Sequence, residues 1–439
     1  MGAAEQVKVH RYFKRIFWIA LLVGALWVGL PGARPRPDDT NFRTLGHARD
    51  VLFDFAGWEA RALADKAVHA ALRPERYLSE NERTQIVRDY LALVGEIQRL
   101  EREVQDIYLQ PDIDHEAASA ALRAERDRLR AEQQAQQALA ESLRQSQVAE
   151  VLAEYGFGVG GQIIPPVVIR FTALPTMLII SPRDHIERIG SYPLEHGLTV
   201  DDMEVVEAQV EDDQDVSALI TPIGGLAVWP AMLVETSYLP SAYEVTAHEW
   251  THHYLAMFPL GFNYAASRET ITINETVASI VGREIEWAVL NRYYPDLAIE
   301  PPNYAPVPEP EPQPNPVPDE PPAFDFRAEM RETRVRVDEM LAAGQIEEAE
   351  AYMEARRLVF VENGYRIRKL NQAYFAFYGS YADEPGATGA DPIGPALREL
   401  RYTSASLKDF IVAVRGMTSL AEIQAELDAR RPAEAAAAR

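Results

Sequence analysis

The spacing of apolar residues changes several times along the chain, and each change marks an element. Residues 16–30 (IFWIALLVGALWVGL) carry no charge and follow Lys8, Arg11, Lys14 and Arg15. A run of that length with a basic flank reads as an uncleaved single-span membrane anchor, with secretion after signal cleavage as the alternative. The leading cations favour an amino terminus inside and a chain lying outside the cytoplasm. Arg34, Arg36 and Arg43 after the run oppose that orientation. Residues 40–72 have a helical apolar face built from Val51, Leu52, Phe55, Trp58 and Leu63. Ser79-Glu80-Asn81-Glu82 is a capping box that starts the next helix. From there Ile86, Tyr90, Leu93, Ile97, Leu100, Val104 and Ile107 alternate spacings of four and three, a heptad seam. Pro111-Asp112 ends it, and residues 115–152 are helical again. An antiparallel helical hairpin is expected, packed on the rest of the chain or offered to a partner or a second copy.

After YGFGVGG (155–161) the pattern turns β-branched. Strands are expected at 167–171, 176–182, 203–210, 217–224 and 225–230, and helices at 241–258 and 271–292. Strands followed by helices predict an α+β fold. Of the 22 residues from Pro301 to Pro322, 11 are proline, which predicts an extended linker. Helical patterning returns over 325–379 and 394–428. The chain divides on this reading into a signal or anchor (1–36), a helical region with the hairpin (37–155), a mixed region of small sheet and two helices (156–297), a linker (298–324) and a C-terminal helical region (325–439).

Composition narrows the function. The net charge of −24 over 439 residues argues against nucleic acid as a partner and suits a cationic or amine-bearing substrate. The chain has no cysteine, so any metal must be held by His, Asp or Glu.

Such a donor set occurs at His248-Glu249-Trp250-Thr251-His252. On a helix, His248 and His252 are four apart and point the same way. That supplies two nitrogen donors to Zn2+, while Glu249 beside them reaches a zinc-bound water and removes its proton as that water attacks a carbonyl. Twenty residues on, Asn274-Glu275 opens the second expected helix. The Glu275 face carries Ala278, Ser279 and Gly282, small enough for a close approach of the two helices. His248, His252 and Glu275 then make a His₂Glu site with one open position, as in catalytic zinc centres. Glu269, Glu284 and Glu286 are alternative third ligands. His253 lies about 100° around the helix and reads as structural. The plainer reading has two half-exposed histidines and a Glu275 that completes a capping box with Thr272.

The pair HEWTH and NETVASIVG resembles the thermolysin-like gluzincin metallopeptidases, in which His-Glu-x-x-His is followed about twenty residues later by Asn-Glu. The resemblance covers roughly residues 160–292 and implies a zincin-like domain there. It makes His248, His252 and Glu275 the zinc ligands and Glu249 the general base. Ser279 stands where the family pattern has an Asp that orients a ligand histidine. Asn274 to Ala278, with Leu370-Asn371-Gln372-Ala373 later, is similar to bacterial predicted aminopeptidases. Gluzincins hold the developing oxyanion with a Tyr or His from a later helix, and Tyr378 and Tyr381 are the candidates here. They also bind extended peptide on an edge strand, for which GGLAVWP (224–230) is placed. Exopeptidase and endopeptidase stay open. The expectation is a membrane-anchored, extracytoplasmic zinc peptidase acting on a peptide or protein. The competing class is a membrane-anchored scaffold with a structural or degenerate zinc site.

Overall fold

The computed structural model describes residues 39–72, 74–110, 113–297, 299–305, 324–381, 389 and 391–430. The apolar run 16–30 and most of the proline-rich stretch (306–323) lie outside the described residues. Among the described residues no helix is long and apolar enough to cross a membrane.

Helices α1 (Thr40–Ala48) and α2 (Phe55–Leu72) precede the hairpin of α3 (Glu80–Tyr108) and α4 (His115–Glu154). The capping box forms: the Glu82 carboxylate accepts from the Ser79 amide at 2.7 Å, and Ser79 Oγ accepts from the Glu82 amide at 3.4 Å. Ile97, Leu100 and Leu129 seal the outer half of the hairpin. Its inner half joins the main core, where Val87, Tyr90, Leu143 and Val151 pack with Tyr243, Trp250 and Val277. Two buried charges on α4 fix this docking. Glu141 accepts from the Phe171 amide at 2.9 Å, from Gln137 at 2.7 Å and from the Lys66 ammonium. Arg144 lies 4.5 Å above the Phe171 ring and donates to Thr246 Oγ1 at 2.8 Å and to the Ala242 carbonyl.

The chain then forms a small hairpin, β1 (Gly158–Val159) and β2 (Gln162–Ile163), and two three-stranded sheets. They draw on β3 (Ile169–Phe171), β4 (Thr176–Pro182), β5 (Gly190–Leu194), β6 (Val216–Pro222), β7 (Gly225–Leu226) and β8 (Ala231–Leu233), with helix α5 (Val200–Asp213) joining β5 to β6. One sheet is antiparallel, in the order β5-β4-β6. The other has the order β3-β8-β7, with β3 parallel and β7 antiparallel to β8. The fold is thus mixed α+β, as the patterning predicts.

Several expectations are corrected. Residues 203–210 form part of helix α5, not a strand. Thr199 and Asp202 make a reciprocal capping box, and Val206 and Val210, four apart, are the buried face while Val205 is exposed. Helical period outweighs β-branched content there. The strand expected over 225–230 shrinks to Gly225–Leu226, followed by a loop.

The site helices are α6 (Leu239–Leu255) and α8 (Arg268–Tyr293), separated by the single turn α7 (Pro259–Phe262). The Ser241–Glu244 capping pattern is not used, because α6 already begins at Leu239 with Pro240 in its first turn. Ser267 caps α8, accepting from the Thr270 amide at 3.1 Å. Asn274 and Glu275 therefore lie about two turns inside the helix instead of opening it, and the Thr272–Glu275 cap does not form.

The C-terminal region comprises α9 (Phe326–Ala342), α10 (Ile346–Glu362), α11 (Gln372–Tyr378), α12 (Ile393–Tyr402), α13 (Leu407–Val414) and α14 (Leu420–Arg430). Gly364, at φ +91°, follows the end of α10 and breaks the helical run expected over 325–379. Asn371 caps α11, and Ala373 and Phe377 pack it onto Met177, Ile179 and Leu219 of the antiparallel sheet. Arg368 pins the approach to α11, donating to the buried Glu207 carboxylate at 3.0 Å. Helices α12 and α13 cover α8 through Leu397, Phe410 and Ile411, and α14 packs on α12.

Candidate metal centre

Helices α6 and α8 pack against each other at a point where side chains are small. A Cβ built on Gly282 would sit 3.0 Å from the Glu244 carbonyl oxygen and 3.4 Å from His248 Cβ. This is the close approach that the small face of α8 predicts. It brings Glu275 over the two histidines of α6. His248 Nε2 and His252 Nε2 are 3.1 Å apart, and each lies 3.5 Å from Glu275 Oε2.

These separations test the fit of a metal. An ion about 2.0–2.1 Å from tetrahedral donors sets those donors about 3.3–3.4 Å apart. The three atoms meet that spacing, and two imidazoles with one carboxylate suit zinc. All three side chains are largely buried.

The surroundings hold each donor in place. His252 Nδ1 donates to Asn274 Oδ1 at 2.7 Å, which directs the Nε2 lone pair at the centre. The Asn274 amide nitrogen donates to the Leu260 carbonyl at 3.3 Å, fixing which way the amide faces. Tyr264 donates its hydroxyl hydrogen to Glu275 Oε1, leaving Oε2 for the histidines. Ser279 orients no histidine; its hydroxyl donates back to the Glu275 carbonyl at 3.0 Å. Asn274 supplies the orienting acceptor from the neighbouring position.

Electrostatics follow from this packing. Burial pushes the Glu275 carboxyl up, but the two imidazoles outweigh it and hold it well below the ordinary carboxylate range. Burial lowers His252, yet Glu275 beside it raises the imidazole to about 9. Burial also raises the Glu249 carboxyl, against the opposing pull of the histidines. Glu249 is 5% exposed and lies against Gly225 of the edge strand β7.

The donors and Glu249 open on a cavity of about 890 Å³. Tyr378 and Tyr381 both line it, so the C-terminal region reaches the same site. They differ in placement. The Tyr381 ring is 6.2 Å from that of His248, whereas the Tyr378 hydroxyl is hydrogen-bonded to Thr221 Oγ1 at 2.8 Å. His253 stays outside the donor set, as expected. Its Nε2 donates to the Val228 carbonyl at 2.8 Å and its ring packs on Trp229. None of the alternative third ligands joins the cluster. Glu269 accepts from the Leu420 amide, Glu284 pairs with Arg401, and Glu286 lines a separate groove with Arg283 and Trp287.

Three residues at the site receive no individual role from sequence reasoning. Tyr264 comes from the connection between α6 and α8, and Arg188 from a polar loop before β5. Gly225 had a usable signal, since a glycine inside a strand often marks close approach of another group.

The chain matches no family model, no curated protein and no solved structure. The reading of the site therefore rests on its geometry.

Proposed function

We propose that this chain is a zinc-dependent peptidase of gluzincin type. The observation that carries the proposal is the convergence of His248, His252 and Glu275 at donor separations of 3.1–3.5 Å, with Glu249 beside them. A zinc ion held by the three residues supplies Lewis acidity, polarising a carbonyl and acidifying water. The chain's own groups do the rest. Glu249 takes a proton from the attacking water and delivers it to the leaving amine. Its buried position and raised pKa suit both halves of that transfer. The Tyr381 hydroxyl donates toward the carbonyl oxygen as negative charge develops there. Strand β7 is the edge of its sheet and borders the cavity through Gly225 and Leu226, so it can pair with an extended peptide or protein segment. The uncharged run 16–30 supports attachment to a membrane, with the rest of the chain outside the cytoplasm.

Metal content by mass spectrometry tests the centre. Wild type is expected to hold one zinc per chain, and His252→Ala and Glu275→Ala much less. Glu249→Gln is expected to keep its zinc and lose turnover of a peptide library. Full activity in Glu249→Gln would refute the proposed proton transfer.

A further inference from the structure

The metal cavity contains a cation that the proposed chemistry does not use. Arg188 lines it, and its side chain is only 9% exposed. Its single hydrogen bond among the described residues is donated by Nη2 to the Tyr264 hydroxyl at 2.7 Å. The nearest carboxylate oxygen, Glu275 Oε1, is 4.0 Å from Nη2, beyond hydrogen-bond reach, with the Tyr264 hydroxyl bonded to both groups. A guanidinium carries five N–H donors. Most of them therefore remain available, while the charge itself is balanced by the Glu275 carboxylate at 4.0 Å and the Tyr264 ring at 5.6 Å. The loop that presents Arg188 is held still. The Glu187 amide donates to Ser181 Oγ at 3.1 Å, the Ile189 amide to the Ile180 carbonyl at 3.0 Å, and Arg183 pairs with Glu350 at 2.7 Å. Arg188 is thus a fixed fork facing the cavity, the form that binds carboxylate in a bidentate way.

We infer that Arg188 holds the terminal carboxylate of the substrate, so that the peptidase cleaves close to a free C terminus. This rests on the proposed peptidase reading and deepens it. Arg188 Nη2 lies 4.0 Å from Glu275 Oε1, the oxygen bonded to Tyr264, while Oε2 of the same carboxylate faces the histidines. A carboxylate on Arg188 therefore belongs to a residue close to a bond positioned at the donors. Met177, Ile189, Leu226 and Phe377 line the same cavity and suit an apolar terminal side chain.

The test is calorimetric binding to the full-length Glu249→Gln chain, with and without one equivalent of zinc. Three probes are compared: N-acetyl-alanyl-leucine, its carboxamide, and N-acetyl-alanyl-glutamyl amide, which moves the carboxylate to a side chain. The free acid is expected to bind at least about tenfold more tightly than the carboxamide. Arg188→Gln should abolish that preference and Arg188→Lys should restore part of it. Because acid and amide are compared on an unaltered Arg188, the first arm stands even where a variant folds poorly. Equal binding of acid and amide, a preference undiminished in Arg188→Gln, or no binding of any probe at millimolar concentration overturns the inference. Tight binding of the side-chain carboxylate overturns the terminal assignment. Zinc content is read separately. An acid preference in a chain that retains no zinc would sink the peptidase proposal and leave the Arg188 site standing.

Discussion

Gly225 and Glu249 occupy one space: a Cβ built on Gly225 would overlap Oε1 of Glu249 and lie 2.9 Å from its Cδ. The edge strand and the carboxylate proposed as the general base can be this close only because residue 225 has no side chain. Gly225→Ala is expected to displace Glu249 and lower kcat about 10–100-fold with zinc content unchanged. Steady-state kinetics and metal analysis on the same preparation check this. Unchanged kcat would mean that Glu249 does not act from this position.

Asn274 plays the part that Ser279 cannot. Asn274→Ala removes the acceptor for His252 Nδ1 and frees the ring to rotate or change tautomer. Zinc affinity is expected to fall about 10–100-fold, as for other partners of ligand histidines. Competition against a chelator measures it. Ser279→Ala, which loses only a bond to its own helix, should bind zinc like wild type.

The two tyrosines separate in the same kind of experiment. Tyr381→Phe is expected to lower kcat about 100-fold or more with little change in KM, by analogy with loss of one oxyanion donor. Tyr378→Phe breaks the bond to Thr221 and should cost about 0.5–1.5 kcal/mol of stability while leaving kcat near wild type. The reverse outcome would exchange their roles.

Glu286 makes stability depend on pH. Burial, and then the charge of Glu244, raise its carboxyl to about 7 from an ordinary 4.5. A raised carboxyl favours the folded state while it stays protonated. Its contribution is complete below pH 4.5 and is lost as pH rises through about 7. Glu286→Gln should therefore match wild type at pH 4.5 and exceed it at pH 8. After allowance for solvent screening the gain is about 1 kcal/mol. Urea midpoints at the two pH values measure it, and a variant less stable at pH 8 would contradict the assigned environment.

Much of the architecture was legible locally. The Ser79 capping box, the strand over 176–182 and the seam positions Tyr90, Ile97, Leu100 and Val104 follow from periods that a single segment sets for itself, whereas Ile86, Leu93 and Ile107 are only partly buried and Val87, Leu91 and Val94 take the buried face beside them. Residues 203–210 misled because Val205, Val206 and Val210 suit a strand by composition, while their burial follows the helical spacing of Val206 and Val210. The cap at Ser241 misled for a related reason: a polar pattern that can cap a helix does so only if the chain has not already turned helical.

The sequence by itself determined the pairing of His248 with His252, since a helical pitch puts residues four apart on one face. It determined that small residues on α8 would let Glu275 come near, because volume is a property of the residue. Only the tertiary structure decided that Oε2 of Glu275 faces both histidines, that Asn274 orients His252, and that Arg188 and Tyr381 share their cavity. The histidines lie on α6, Asn274 and Glu275 on α8, Arg188 in the loop before β5 and Tyr381 beyond α11. Sheet register, the docking of α11 and the approach of α6 to α8 bring them together, and such contacts depend on how whole elements bury their faces, which no local period encodes.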